Sequence, residues 1–206
     1  LIALATPTLV DVIRSTRLSS AGDSLQNRLN LAQQEAISRS QEVEVRFYKY
    51  QNSSSEIPDQ SLFYAYQVVE TPGGKDAAAI SEPYFLESGI VISPKQELSP
   101  LLQTTVPQKQ GQISQRYLFN PGSGSTEAAV EYAALRYYPD GSCRLLTSGT
   151  VEEDDQQSTA IGYTIPPLSN SFLTLLETQF VDSPELPPLN FYCLQIDSYT
   201  GKVRIY

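Results

Sequence analysis

The chain has 206 residues with 40% apolar side chains, 14 prolines, 11 glycines and 13 tyrosines, enough for a sizeable core and weighted toward short strands and turns rather than a helical bundle. It contains no histidine, which removes the commonest general base and transition-metal ligand, and with them any Ser-His-Asp or Cys-His nucleophile built from this chain alone. The net charge of −9 divides into a near-neutral segment 1–50, with six basic and five acidic residues, and an acidic remainder with eight and eighteen, a balance that argues against binding a phosphate backbone.

The apolar start, LIALATPTLVDVI, runs straight into a helical pattern. There is no methionine anywhere, so Leu1 is not expected to be an initiator, and a segment is expected upstream of it. Leu1, Ile2, Leu4, Leu9, Val10, Val12 and Ile13 are too few to cross a bilayer, which needs about 20 apolar residues. They fit the lower end of a membrane or filament segment. Pro7 is expected to kink the helix there. From Leu18 the apolar positions Leu18, Ala21, Leu25, Leu29, Ala32 and Ala36 recur at spacings of three and four, the stripe of an amphipathic helix lying on a sheet. Asp23, Gln26, Asn30, Gln34 and Arg39 occupy the other side, and Glu35 to Arg39 is a favourable i,i+4 pair. The helix is expected to end near Ser40–Gln41, after about 60 Å from Leu1 at 1.5 Å per residue. That is longer than one domain of this size covers.

The period then changes to two. Val43, Val45 and Phe47 share one face of a strand, expected to meet the helix, and Glu44, Arg46 and Tyr48 share the other. A polar loop at 51–61 precedes the strand LFYAYQVVE, and TPGGKD at 71–76 reads as a hairpin turn. GIVIS at 89–93 is a short strand closed by Pro94. Residues 97–113, rich in Gln, Pro and Ser, read as a surface loop. QRYLFN, ending at residue 120, runs into a glycine-rich loop that lacks the strand-to-helix context of a phosphate cradle. EYAALRYY and CRLLTS flank the turn Pro139-Asp140-Gly141, the clearest hairpin in the chain. Glu152, Glu153, Asp154 and Asp155 form a solvated acidic run without the alternating spacing of a calcium loop. SNSFLTLLETQF is a helix or a strand; periodicity does not separate them. PELPPL is an extended connector, and NFYCLQIDSYTGKVRIY closes the chain as a second hairpin around Ser198–Gly201. The tyrosines read as amphipathic filling of sheet faces.

Leu31, Ala32, Glu35, Ala36, Ile37, Arg39, Val43 and Val45 resemble the helix-to-first-strand junction of the type IV pilin-like proteins of the H-type pseudopilin class (GspH/FimT). LRYYPDGS and IDSYTGKVRIY are similar to that family's turn and closing strand. Val43–Tyr50, Ser171–Leu175 and Pro187–Tyr206 further resemble the family of Verru_Chthon cassette protein D. The resemblance implies an α+β, pilin-like fold: a long N-terminal helix, residues 1–41, packed on antiparallel sheet, and a globular β-rich head, residues 42–206.

It further implies a prepilin with a basic leader and a single N-terminal anchor in a bacterial inner membrane, its head periplasmic or extracellular. The expected function is that of a non-enzymatic, minor subunit of a type IV pilus or type II secretion-like filament. Its partners would be other pilin or pseudopilin subunits and the membrane, with no nucleic acid and no small-molecule substrate. No catalytic, cofactor-binding or metal-ligating residue is expected, and no cofactor. The family's acidic residue within the apolar segment has no counterpart here, so the processing and assembly residues are not carried over. In the oxidising compartment this placement implies, Cys143 and Cys193 are candidates for a disulfide; the alternative is two buried thiols. The competing function is a surface-exposed adhesion or ligand-binding module tethered by the helix, contacted through Tyr163, Phe180 or the acidic run at 152–155.

Overall fold

A computed structural model describes residues 6–52, 55–57, 60–70, 78–107, 130–151, 158–184 and 187–206, with side chains described at these positions other than 6–11, 107, 148–151 and 158–161. Helix α1 spans Thr6–Arg39, 34 residues. Its apolar stripe lies entirely inside: Leu18, Ala21, Leu25, Leu29, Ala32 and Ala36 are all buried. It stops through a Schellman arrangement, in which Ser40 N–H reaches Ile37 O (3.3 Å) and Gln41 N–H reaches Ala36 O (3.2 Å). Ser40 occupies the left-handed position at φ 53°, where glycine is the usual occupant. The chain thereby turns from helix to strand within three residues.

The strands follow as β1 (Val43–Gln51), β2 (Ser61–Glu70), β3 (Ala78–Ala79), β4 (Tyr84–Phe85), β5 (Ile90–Ile92) and β6 (Val106–Pro107) in the first half. In the second half come β7 (Glu131–Tyr137), β8 (Cys143–Val151), β9 (Ser158–Thr164), β10 (Phe172–Glu177), β11 (Phe191–Ile196) and β12 (Val203–Ile205). They form one antiparallel sheet in the order β12-β11-β10-β5-β2-β1-β7-β8-β9, with β3 and β4 paired to β2 and β6 to β7.

The expected pilin-like α+β architecture is therefore corrected. Among the described residues the protein is mostly β, with one N-terminal helix against one large curled antiparallel sheet. The ambiguous segment SNSFLTLLETQF supplies β10, an interior strand between β11 and β5. The segment read as a surface loop at 97–113 is, through residue 107, part of the packing. Leu98, Leu101, Leu102 and Val106 are buried, around a 3-10 turn at Pro100–Leu102 and strand β6. Four apolar residues separated by Ser, Pro, Gln and Thr carry no period, so composition concealed them. The turn expected at 71–76, the glycine-rich loop ending before residue 127 and the acidic run at 152–155 lie outside the described residues.

The sheet curls around the helix. α1 touches β12, β11, β10 and β5 on one side and β1 and β7 on the other, and the two arms meet beyond it. Cys143 N–H bonds Ser198 O at 2.8 Å, and Gln33 Nε2 donates to both Gly141 O (2.8 Å) and Thr200 O (2.6 Å). One glutamine on the helix thus holds the tips of the two hairpins that stood out in the sequence. Gly201 has φ +65°, and a Cβ there would sit 2.2 Å from Gly141 O, so this junction admits no side chain.

Two buried clusters result. The helix-facing one joins the α1 stripe to Val43, Val45, Phe47, Leu135, Leu173 and Leu194, among others. The second, on the opposite face of β1 and β2, is built from Tyr48, Tyr50, Tyr64, Tyr132, Leu146 and Val181 with smaller neighbours. Most of the described tyrosines are spent in these two clusters as sheet filling.

Candidate functional site

Helix α1 changes character at Leu18. On its C-terminal side the stripe is sheathed by the sheet, while residues 12–17 are all exposed, with Val12 at 59% and Ile13 at 45%. A helix rises about 1.5 Å per residue, so these six residues extend roughly 9 Å beyond the first buried position. Ser15 Oγ and Thr16 Oγ1 bond back to Val12 O at 3.1 and 2.7 Å, so the turn is closed on itself rather than onto the sheet. Its tie to the sheet is Arg14, which reaches Gln179 Oε1 at 3.5 Å and Glu177 at 3.9 Å. Of the residues expected to form an anchor or filament segment, Val12 and Ile13 stand in solvent. Leu9 and Val10 lie on the helix without described side chains, and Leu1, Ile2 and Leu4 are outside the described residues.

Further along, the helix is pinned by aromatic contacts. Tyr192 lays its ring on Gly22, where a Cβ would come within 2.3 Å of the ring, and its hydroxyl donates to Asp23 Oδ1 at 2.5 Å. Burial and the Asp23 carboxylate raise the pKa of this phenol. Arg28 stacks over Tyr84 at 3.9 Å from the ring centroid, and Tyr84 stacks on Tyr66 with centroids 5.6 Å apart. The face of α1 left open is mostly polar, running through Thr16, Ser20, Asn27 and Gln34, with Leu31 among them at 40% exposed.

The charged constellation of the molecule lies on the other face of β1. Glu44 and Arg46 are 1% and 4% exposed. Glu44 Oε2 accepts from Arg46 Nε at 2.8 Å. Its Oε1 accepts from Arg136 Nη2 at 2.6 Å, from Arg136 Nε at 3.2 Å, and from the Tyr163 hydroxyl. Arg136 Nη1 continues to Glu42 Oε2 at 2.7 Å. Register brings them together: Glu44 on β1 is directly opposite Arg136 on β7, and Arg46 stands two residues along on the same face. Arg136 also stacks on the Tyr163 ring at 3.8 Å and Arg46 on the Tyr132 ring at 4.4 Å. Next to them, Tyr48 donates to Gln67 Oε1 at 2.7 Å, and Gln67 Nε2 donates to Ser81 O at 2.8 Å.

Two carboxylates face two guanidiniums, so the cluster is neutral. Burial works against charge on Glu44, but the Arg46 and Arg136 charges and the bonds from Tyr163 and Arg136 outweigh it, and its pKa is lowered. Burial and the neighbouring Glu44 charge together push the Tyr163 phenol well up. The result is a carboxylate kept ionised with both oxygens occupied beside a phenol kept neutral. This arrangement ties β1 to β7 and β9. Alternation along β1 puts Glu44, Arg46 and Tyr48 on one face but does not tell that this face is covered. Arg136, the one basic residue in the run EYAALRYY, is the sequence signal for a partner to Glu44.

The candidate disulfide is corrected: Cys143 and Cys193 are both free thiols. Cys143 belongs to the helix-facing cluster beside Tyr137. Cys193 precedes Leu194, which faces that cluster, so alternation turns Cys193 to the opposite face, paired with Thr174 on β10. Two sulfurs on opposite faces of a sheet cannot bond. Burial pushes the Cys143 thiol up to about 12. The two aromatic residues considered for adhesion are engaged elsewhere, Tyr163 with Glu44 and Arg136, and Phe180 against the second cluster.

Among the described residues no three His, Cys, Asp or Glu side chains gather as metal ligands, and no helix is long and apolar enough to cross a membrane. No protein-family model, curated protein or solved structure matches the chain.

Proposed function

We propose that this chain is a non-enzymatic subunit of a type IV pilus or type II secretion-like filament, joined to neighbouring subunits through the N-terminal part of α1. The observation that supports this reading is the division of that helix. From Leu18 on, its apolar stripe is buried against the chain's own sheet, with Leu31 and Ile37 left 40% and 49% exposed off that stripe, whereas at residues 12–17 every side chain is exposed, Val12 at 59% and Ile13 at 45% among them. Apolar side chains on a projecting helix gain by burial against like helices, roughly 1.5 to 3 kcal/mol for each large one fully covered. The network around Glu44 belongs in this reading to the head, where it fixes the sheet that carries the helix. The membrane anchor, the leader and the extracytoplasmic head are parts of the same proposal.

The test uses the complete reading frame expressed with its native filament machinery. The protein is expected in the membrane fraction with its leader removed, and in sheared filaments. Val12→Asp with Ile13→Asp is expected to abolish incorporation while leaving the melting temperature of the head unchanged, because both positions are already exposed. A soluble, unprocessed, cytoplasmic product would overturn the reading, as would full incorporation of the double variant.

A further inference from the structure

We infer that the outer edge of β12 is a strand-addition site for an extended partner segment in which acidic and apolar residues alternate. Among the described strands, β12 has β11 as its only neighbour. Cys193 and Tyr206 exchange hydrogen bonds at 3.3 and 3.0 Å, and Asp197 N–H bonds Lys202 O at 2.9 Å. In an antiparallel ladder the bonded pairs recur at every second residue. With Gln195 opposite Arg204, the bonded positions on this strand are 202, 204 and 206. Val203 and Ile205 therefore turn their N–H and C=O groups away from β11, toward the open edge.

The side chains along this edge state what kind of strand fits. Val203 and Ile205 lie opposite Ile196 and Leu194, on the helix-facing side. Lys202, Arg204 and Tyr206 alternate onto the other side and are exposed. No described ion pair involves Lys202 or Arg204. Asp197 feels the Arg204 charge, but its carboxylate accepts from the amides of Tyr199 and Thr200 in the preceding turn, at 3.0 and 3.4 Å, and forms no described ion pair. The same end of the sheet carries much of the exposed large apolar surface: Leu189 at 91%, Tyr199 at 76%, Tyr206 at 65% and Ile205 at 44%.

A second copy is a poor occupant. Antiparallel pairing centred on Arg204 sets Arg204 against Arg204, and parallel in-register pairing also sets Lys202 against Lys202. Like charges directly opposite are destabilising, and lysine or arginine on a short edge is a known bar to self-association. The charges that forbid self-pairing select an acidic neighbour. A partner strand would place carboxylates beside Lys202 and Arg204 and apolar side chains beside Val203 and Ile205, with main-chain bonds supplying the register. The net charge of −9 on the whole chain does not prevent this, because at physiological ionic strength it is screened over about 8 Å.

The experiment uses the 206-residue chain and a fluorescein-labelled, acetylated nine-residue peptide of alternating Glu and Val, read by anisotropy and by amide hydrogen exchange. Saturable binding is expected, with new protection at the Val203 and Ile205 amides. Lys202→Glu with Arg204→Glu should weaken it about tenfold or more and transfer preference to an alternating Lys and Val peptide. Val203→Pro, which removes an outward N–H and no bond to β11, should abolish it. If that variant fails to fold, the charge reversal at two exposed positions decides. No binding at millimolar peptide, equal binding by the charge-reversed chain, or protection confined to another strand would overturn the proposal. A peptide-free dimer that Val203→Pro dissociates would overturn it in favour of a second copy. None of these outcomes touches the filament reading, which rests on α1.

Discussion

Along β1 the side chains of Val43, Val45 and Phe47 turn toward α1 and those of Glu44, Arg46 and Tyr48 turn away, yet all six are between 0% and 4% exposed. The helix-facing side is held by apolar contact, which is non-directional and degrades gradually as volume is removed. The other side is held by a neutral set of two carboxylates and two guanidiniums with two phenols bonded into or beside it. Such a set is sound only when every member is present, because a buried charge without its counter-charge is heavily penalised. One strand thus carries two kinds of stability, and they fail differently.

The largest effect is expected from unbalancing the polar face. Glu44→Gln leaves Arg46 and Arg136 facing a neutral amide and should lower stability by about 3–5 kcal/mol in urea unfolding, as much as emptying the apolar face with Phe47→Ala. The double change Glu44→Leu with Arg46→Met should lose less than Glu44→Leu alone, since removing both charges of a pair is milder than removing one. Equal or additive losses would show that the two side chains are not coupled. Acid unfolding gives an independent check. The folded pKa of Glu44 is depressed, so its contribution is complete above the ordinary carboxylate range and is lost as pH falls through the lower folded value. Between about pH 5 and the acid limit the wild-type chain should lose stability more steeply than Glu44→Gln. Asp140 and Asp197 are also lowered, by turn hydrogen bonds, in both proteins, so the difference between the slopes isolates Glu44.

The apolar side should fail by crowding rather than by charge. Gly22→Ala raises intrinsic helix propensity by about 1 kcal/mol, yet the new methyl would meet the Tyr192 ring at 2.3–2.6 Å. Those ring atoms include Cγ, the root of the ring, so the tyrosine cannot swing clear by its tip, and its bond to Asp23 goes with it. A net loss of about 1–2 kcal/mol is expected, overpacking outweighing propensity. A gain in melting temperature would mean that β11 sits less closely on the helix than described.

The comparison also separates what was legible in the sequence from what was not. The stripe from Leu18 to Ala36, the set Val43, Val45 and Phe47, and the turns at Pro139–Gly141 and Ser198–Gly201 are local patterns, and each lies where its period placed it. Alternation states which side of a strand a residue faces, never whether that side is covered. The cover on the side of Glu44 and Tyr48 comes from Tyr163, from Val106 and from Tyr64 of β2, none of which shares a period with β1. The cysteines failed for the related reason that parity fixes a face only once the sheet order is known. Gln33, which joins two distant hairpin tips through one amide, is invisible to any pattern on its own helix.

The finest test asks the same question of both faces with one chemical change. Tyr163→Phe keeps the ring under Arg136 and deletes the hydroxyl that donates to Glu44; a hydrogen bond to a charged acceptor should be worth about 1.5–3 kcal/mol. Tyr137→Phe deletes a hydroxyl from the helix-facing cluster. There the side chain is fully buried, burial drives the phenol pKa far up, and the oxygen has no hydrogen-bond partner among the described residues. Removing it relieves an unsatisfied polar group, so stability should be unchanged or rise by a few tenths of a kcal/mol. Thermal unfolding of the two single variants and of the double variant checks this, and the effects should add because the residues lie on opposite faces of the sheet. A loss for Tyr137→Phe comparable to that of Tyr163→Phe would erase the distinction between the faces, since it would require the helix-facing core to contain a polar network of its own.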